Sequence, residues 1–274
     1  YKAFVHELLS LTPIQYQKTN TMQIYEVGRF QYLAEGQGEI LLLLHGLFGA
    51  LSNFNDLIQH FKDRYQVVVP LLPLYTLPPR SCDLEHLTAF VHDFISHQQY
   101  DKVILLGNSF GGHIALKYTV EHQERVQALV LTGSSGLFEN AMGDTYPRRG
   151  DREYIRKKTE ITFYDPAMAT EELVDEVFDI VNKREKVINV VAIAKSAIRN
   201  NMKEELPNIK IPVMLIWGQQ DQITPPFVAD EFHATLPNSQ LAFIDQCGHA
   251  PMMEQPTIFN ELLDKFLRQL PTEA

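Results

Sequence analysis

A chain of 274 residues can bury a domain-sized core, either as one large domain or as one domain that carries an insertion. Hydrophobic residues at 45% and charged residues at 21% are ordinary for a soluble globular protein and exclude a disordered chain. The net charge of -10 lacks the Lys/Arg surplus that phosphate contacts need, which excludes sequence-independent nucleic-acid binding.

Phe4, Val5, Leu8, Leu9 and Leu11 suggest a short amphipathic turn or helix before Pro13. Gln23 to Val27 and Phe30 to Ala34 read as two short strands around Gly28, a hairpin, and Gly36 to Gly38 makes the next turn. Ile40 to Leu44 is wholly apolar and ends in His45-Gly46-Leu47-Phe48-Gly49, a buried strand feeding a loop of small residues. Phe54, Leu57, Ile58 and Phe61 then mark a helix. Gln66 to Val69 is another apolar strand, closed by Pro70. The stretch Leu71 to Arg80 is rich in leucine and proline, and proline suits neither a helix interior nor a central strand. Its leucines either pack under a neighbouring element or line the mouth of an apolar pocket.

Leu84, Leu87, Phe90, Val91, Phe94 and Ile95 give an amphipathic helix. Val103 to Leu106 reads as a strand buried on both faces, and Ala128 to Leu131 as the next. Between Phe138 and Leu206 no buried strand appears and charges are dense; Leu173, Val174, Val177, Phe178 and Val181 mark one helix and Val187, Val190, Val191, Ala194 and Ile198 another. Alternation then resumes with a strand at Val213 to Trp217, a helix at Phe227 to Ala234, a strand at Leu241 to Ile244 and a helix at Ile258 to Leu270. Strand and helix alternating in this way predict an α/β fold, a mostly parallel sheet with helices on both faces. The expected organisation is a core in two parts, residues 1–137 and 207–274, interrupted by a helical insertion at 138–206.

Between Leu106 and Ile114 the chain passes from strand to helix through Gly107-Asn108-Ser109-Phe110-Gly111-Gly112. A G-x-S-x-G in that context is a nucleophile elbow, which exposes the serine hydroxyl at a helix N-terminus where free N–H groups favour developing negative charge. The serine needs a base, and the base needs an anion to fix its tautomer. His249 follows the strand at Leu241 to Ile244, and Asp221 follows the strand that ends at Trp217. Asp245, which also follows a strand, is the alternative acid, and Asp221 could instead cap a helix. Catalytic candidates are thus Ser109, Asp221 and His249 in the chain order of an α/β-hydrolase triad. Oxyanion donors are expected at the backbone N–H of Phe110 and of Leu47, with Phe48 as the substitute for Leu47. His45, Phe48 and Asn108 are candidate substrate contacts, although His45 suits bracing of its loop at least as well. His113 reads as packed or solvated. The other histidines, His6, His60, His86, His92, His97, His122 and His233, lack zinc-site spacing, so no metal and no cofactor is expected.

Four motifs in order, HGLFG at 45–49, GNSFGG at 107–112, WGQQD at 217–221 and CGHAPMMEQP at 247–256, make the chain resemble α/β-hydrolase-fold serine hydrolases from about residue 23 to 270. The resemblance implies that the insertion is a cap over the active site, between the sixth and seventh strands. GNSFGG is similar to the meta-cleavage-product hydrolases, which split carbon-carbon bonds in ring-fission dienoates. HGLFG is similar to esterases and acyl-thioesterases instead; the carbon-carbon hydrolases usually carry HGSGPG-like loops there, and commonly Trp where Ala250 stands. The expected activity is hydrolysis of carboxylic esters or thioesters of small to medium acyl groups through an acyl-enzyme, on a small-molecule acyl substrate. Carbon-carbon hydrolysis is the alternative, followed by cofactor-free perhydrolysis and a non-catalytic ligand receptor. The residues after Val69 depart from the D-x-x-G-x-G-x-S turn of many relatives. Arg148, Arg149, Arg152, Arg156, Lys157 and Lys158 read as a solvated helix face or, facing the pocket, as a site for an anionic substrate. Only Cys82 and Cys247 are present, which implies no disulfide framework and points to a cytoplasmic protein. No apolar run reaches the length of a membrane span, and the residues after Tyr1 lack the apolar core of a signal peptide.

Overall fold

The computed structural model describes residues 23–49, 51–140 and 148–271; the amphipathic stretch from Phe4 to Leu11 lies outside the described residues. Eight strands form one sheet: β1 Ile24–Val27, β2 Phe30–Glu35, β3 Glu39–Leu44, β4 Tyr65–Pro70, β5 Val103–Asn108, β6 Val126–Thr132, β7 Val213–Gly218 and β8 Ser239–Ile244. Their spatial order is β1-β2-β4-β3-β5-β6-β7-β8. A two-residue turn with Gly28 at φ 61° joins β1 to β2, so that pair is antiparallel, as is the pair of β2 and β4. From β3 onward each connection contains a helix, and a helical crossover returns the chain to a parallel neighbour.

The helices are α1 Asn55–Phe61, α2 Leu84–His97, α3 Phe110–Glu121, α4 Arg152–Glu160, α5 Glu171–Asn182, α6 Arg184–Arg199, α7 Pro226–Thr235, α8 Pro251–Glu254 and α9 Pro256–Leu267. Alternate strand residues serve opposite layers. Leu42, Leu44, Leu105 and Leu131 pack with α2, α3 and α7, while Leu41, Leu43, Ile104 and Leu106 pack with α1 and α9. Burial on both faces is why these strands read as unbroken aliphatic runs.

Helices α4, α5 and α6 lie between β6 and β7. The two apolar periods near 173–181 and 187–198 belong to α5 and α6, whereas α4 buries only Ile155 and Thr159, too few positions to display a period. Two of the four basic side chains of α4 go into surface ion pairs: Arg152 with Glu171 at 2.7 Å and Asp175 at 2.6 Å, and Arg156 with Glu171 at 2.5 Å. For Arg152 and Arg156 this is the solvated face of the two readings, whereas Arg149 of the same basic run stands on the lining of a cavity. Ile193 and Ala197 of α6 join the core layer of α2 and α3, which anchors the insertion to the sheet. The proline-rich stretch 71–80 packs beneath α6. Leu72 and Leu74 are buried, Asn189 Nδ2 donates to the Leu77 carbonyl at 2.9 Å, and the Leu84 N–H just beyond the stretch donates to Ser196 Oγ at 3.0 Å.

Candidate active site

Ser109 joins β5 to α3 at φ 55° and ψ -124°. A non-glycine residue with such a backbone costs about 1–3 kcal/mol and persists only where its surroundings fix it. Here the Ser109 N–H donates to the Thr132 carbonyl at 3.1 Å, and its own carbonyl accepts from the N–H of Gly112 at 3.0 Å and of Ser135 at 3.1 Å. The flanking glycines allow the close crossing: a Cβ on Gly107 would lie 2.5 Å from the Gly111 carbonyl oxygen, and one on Gly111 would lie 2.1 Å from that of Leu44.

Two loops beyond neighbouring strands carry the candidate acid and the candidate base. His249 Nδ1 stands 2.9 Å from Asp221 Oδ2. A carboxylate only accepts, so Nδ1 carries the proton and Nε2 keeps a lone pair for the proton of a nucleophile. Asp221 is fixed in turn: Oδ1 accepts from the N–H of Ile223 at 2.8 Å and of Thr224 at 3.0 Å, and Oδ2 accepts from Thr224 Oγ1 at 2.9 Å. Trp217, a buried residue of β7, donates its Nε1 proton to the Thr224 carbonyl at 2.7 Å and holds that turn. Asp245 sits at the surface and accepts from Gln220 Nε2 at 2.8 Å. Of the two candidate acids, Asp221 is therefore the partner of His249. Burial lowers the pKa of His249, but the charge and hydrogen bond of Asp221 outweigh it, and the imidazole stands above its ordinary 6.5.

Sequence reasoning missed the brace of the histidine loop. Glu254, at the end of the one-turn helix α8, folds back so that both carboxylate oxygens accept the Gly248 N–H at 3.0 Å, while Ala250 and Tyr164 donate at 3.2 Å and 2.7 Å. Its signal lay within the motif at 247–256, as an acidic residue five positions after the histidine. On the other side, a Cβ on Gly133 would stand 2.9 Å from His249 Nδ1, so only glycine leaves room for the ring there.

The loop at 45–49 passes against Ser109: a Cβ on Gly46 would be 3.4 Å from its Oγ. The Leu47 carbonyl accepts from the Tyr75 hydroxyl, which pins the loop from below. Phe110 opens α3, and an N–H at that position has no acceptor within the helix. His45 uses both ring nitrogens within the protein, Nδ1 against the Gly46 carbonyl at 2.9 Å and Nε2 accepting the Leu72 N–H at 3.2 Å. Burial lowers its pKa, so it is a neutral brace of the loop, and the cavity lining does not include it. Asn108 does line the cavity, yet its Nδ2 donates to the carbonyls of Thr132 at 3.0 Å and His249 at 3.1 Å, which leaves Oδ1 for any ligand. His113 is packed and neutral: Nε2 stands 2.8 Å from the Asn200 carbonyl, and burial pushes its pKa down to about 4.

Ser109, His249, Leu47 and Phe48 share one cavity of about 730 Å³. Its far wall is aliphatic, with Val177 and Val181 from α5 and Val187, Val190, Val191 and Ile198 from α6. Arg149 and Lys195 stand on its lining as exposed residues. Among the described residues no group of three or more His, Cys, Asp or Glu could hold a metal ion. No described helix is long and apolar enough to cross a membrane.

The family model of the alpha/beta hydrolase fold matches residues 39–256. A 2-hydroxy-6-oxononadienedioate/2-hydroxy-6-oxononatrienedioate hydrolase of Burkholderia vietnamiensis is 30% identical over 270 residues, covering 88% of this chain and 91% of that protein. The hydrolase YugF of Bacillus subtilis is 23% identical over 94% of this chain and 99% of its own length. Among solved structures, MGS-MChE2, an alpha/beta hydrolase enzyme from a lagoon-sediment metagenome, is 41% identical with a TM-score of 0.76 over 90% of this chain and 98% of its own.

Proposed function

The chain belongs to the α/β-hydrolase fold family and is a hydrolase by fold and relatives, and we propose that it is a serine hydrolase of carboxylic esters or thioesters with small to medium acyl groups. The observation that carries this reading is the elbow serine in one cavity with a histidine whose Nδ1 is held 2.9 Å from a buried carboxylate. Ser109 Oγ attacks the acyl carbonyl and passes its proton to His249 Nε2, while the N–H groups of Leu47 and Phe110 hold the oxyanion. His249 then gives that proton to the leaving oxygen or sulfur, and the bond to the acyl carbon breaks to leave acyl-Ser109. Water, deprotonated by His249, attacks the acyl-enzyme and releases the acid. Residues 138–206 serve as a cap that surrounds the acyl group with aliphatic side chains. The buried free thiols of Cys82 and Cys247 suit a reducing compartment, and the cytoplasm is the proposed one.

Carbon-carbon hydrolysis is the second reading. It is favoured by the Burkholderia relative and by Arg149 and Lys195 on the cavity lining, cations that suit a dienoate carboxylate. The HGLFG loop and Ala250 favour ester cleavage. Graded p-nitrophenyl esters and thioesters, assayed beside a vinylogous 1,5-diketone with wild type and Ser109→Ala, separate the two. Ester or thioester turnover that falls about 10⁶-fold in Ser109→Ala supports the first reading. Cleavage of the diketone alone transfers the assignment to the second, and full activity of Ser109→Ala overturns both.

A further inference from the structure

Among the described residues on the cavity lining, Glu139 is the only carboxylate. It lies on the segment after β6, and two sets of contacts fix that segment. Ser135 donates its N–H to the Ser109 carbonyl at 3.1 Å and its hydroxyl to Glu139 Oε2 at 2.7 Å, so the carboxylate is tied to the elbow through a single residue. Asn140 next to it donates its backbone N–H to the Ile223 carbonyl at 2.7 Å and its Nδ2 to the Gln222 carbonyl at 2.6 Å, which clamps the segment to the loop of Asp221.

A carboxylate offers about four acceptor positions, and the neutral Ser135 hydroxyl takes one. No described Lys, Arg or His forms an ion pair with it. Glu139 is half-buried on the lining of a largely aliphatic cavity, where a ligand hydroxyl or ammonium can reach one of its remaining acceptor positions. Its charge reaches the base, since Glu139 is one of the groups that favour the imidazolium of His249.

We infer that Glu139 recognises the leaving group: it accepts a hydroxyl or binds an ammonium carried by the alcohol half of the substrate, and it repels an alcohol half that carries a carboxylate. The inference rests on the ester reading. The acyl half is assigned to the aliphatic wall of α5 and α6. The leaving oxygen must come to His249 Nε2 to be protonated, and the inference sets the polar group a few bonds beyond that oxygen against Glu139, which shares the cavity lining with His249. Arg149 and Lys195, exposed on the same lining, are left for other parts of a ligand.

The test compares butanoate esters that share one acyl group and differ in the alcohol: propyl, 2,3-dihydroxypropyl, choline and 2-carboxyethyl. Wild type is expected to turn over the dihydroxypropyl or the choline ester at a kcat/KM about tenfold or more above the propyl ester, and the carboxyethyl ester below it. Dihydroxypropyl against choline separates hydroxyl from ammonium as the group bound. Glu139→Met should bring all four towards one value. Glu139→Gln, which keeps an acceptor and loses the charge, should keep part of the hydroxyl preference and lose the carboxylate penalty. Urea midpoints establish that each variant is folded, and Glu139→Gln carries the test if Glu139→Met is not. Ratios in a folded variant that match wild type within about twofold overturn the inference, as does a wild-type preference for the carboxyethyl ester. Wild type inert towards every ester overturns the ester reading and this inference with it, whereas active enzyme with unchanged ratios overturns this inference alone.

Discussion

Replacing Asp221 by Asn exchanges one oxygen for nitrogen and reverses the proton logic of His249. Oδ1 accepts from the N–H of Ile223 at 2.8 Å and of Thr224 at 3.0 Å, so the amide oxygen must keep that place. The amide nitrogen then falls where Oδ2 stood, 2.9 Å from Thr224 Oγ1 and 2.9 Å from His249 Nδ1. It can only donate. Nδ1 must therefore accept, the imidazole proton moves to Nε2, and the ring can no longer take a proton from Ser109. The Thr224 hydroxyl can turn and accept, so the loss of folding stability is about 1 kcal/mol. The loss in kcat/KM on a p-nitrophenyl ester should be about 10⁴-fold, equivalent to about 5.5 kcal/mol of transition-state stabilisation. Asp245→Asn is the control, because that side chain is exposed and paired with Gln220. Stopped assays of both variants with urea midpoints separate activity from folding. Asp221→Asn within about tenfold of wild type, or the large loss appearing in Asp245→Asn, would refute the assignment.

Activity and stability should respond to pH in opposite directions. His249 must be neutral to act as base and its pKa lies above 6.5, so kcat/KM should rise with pH through a midpoint above 6.5; a midpoint below that value contradicts the ion pair. For folding, a pKa raised in the native state means that the stabilisation is fully present below 6.5 and is lost as pH climbs through the native value, a slope that urea midpoints should show and Asp221→Asn should flatten. Gly133→Ala forces a side chain onto φ 53° and places its Cβ 2.9 Å from His249 Nδ1. It should lower kcat by about tenfold or more with a smaller change in KM, and unaltered kcat in a folded variant would show that the ring has room there.

How far the sequence reaches depends on how local each cause is. The strands around Leu41 to Leu44 and Ile104 to Leu106 were legible because burial on both faces leaves an aliphatic run that nothing else explains. The elbow was legible because its glycines are sterically required within a few residues of Ser109. Helix α4 was hidden by a polar surface that buries two positions. Contacts between distant segments left no pattern at all: the Leu72 N–H on His45, Tyr75 on the Leu47 carbonyl, and Asn189 on Leu77 each join residues 27, 28 and 112 positions apart. Those contacts decide that His45 is a brace and that the proline-rich stretch supports α6. Glu254 and Glu139 escaped notice for the same reason, since an acidic residue acquires meaning only when the fold brings backbone donors or the cavity of Ser109 to it.

Intact-mass analysis after exposure to a fluorophosphonate tests the activated serine most directly. The account predicts one adduct per wild-type chain, mapped to the peptide that contains Ser109, no adduct on Ser109→Ala and slow labelling of Asp221→Asn. Labelling elsewhere, or a wild-type chain that stays unmodified while folded, would contradict it.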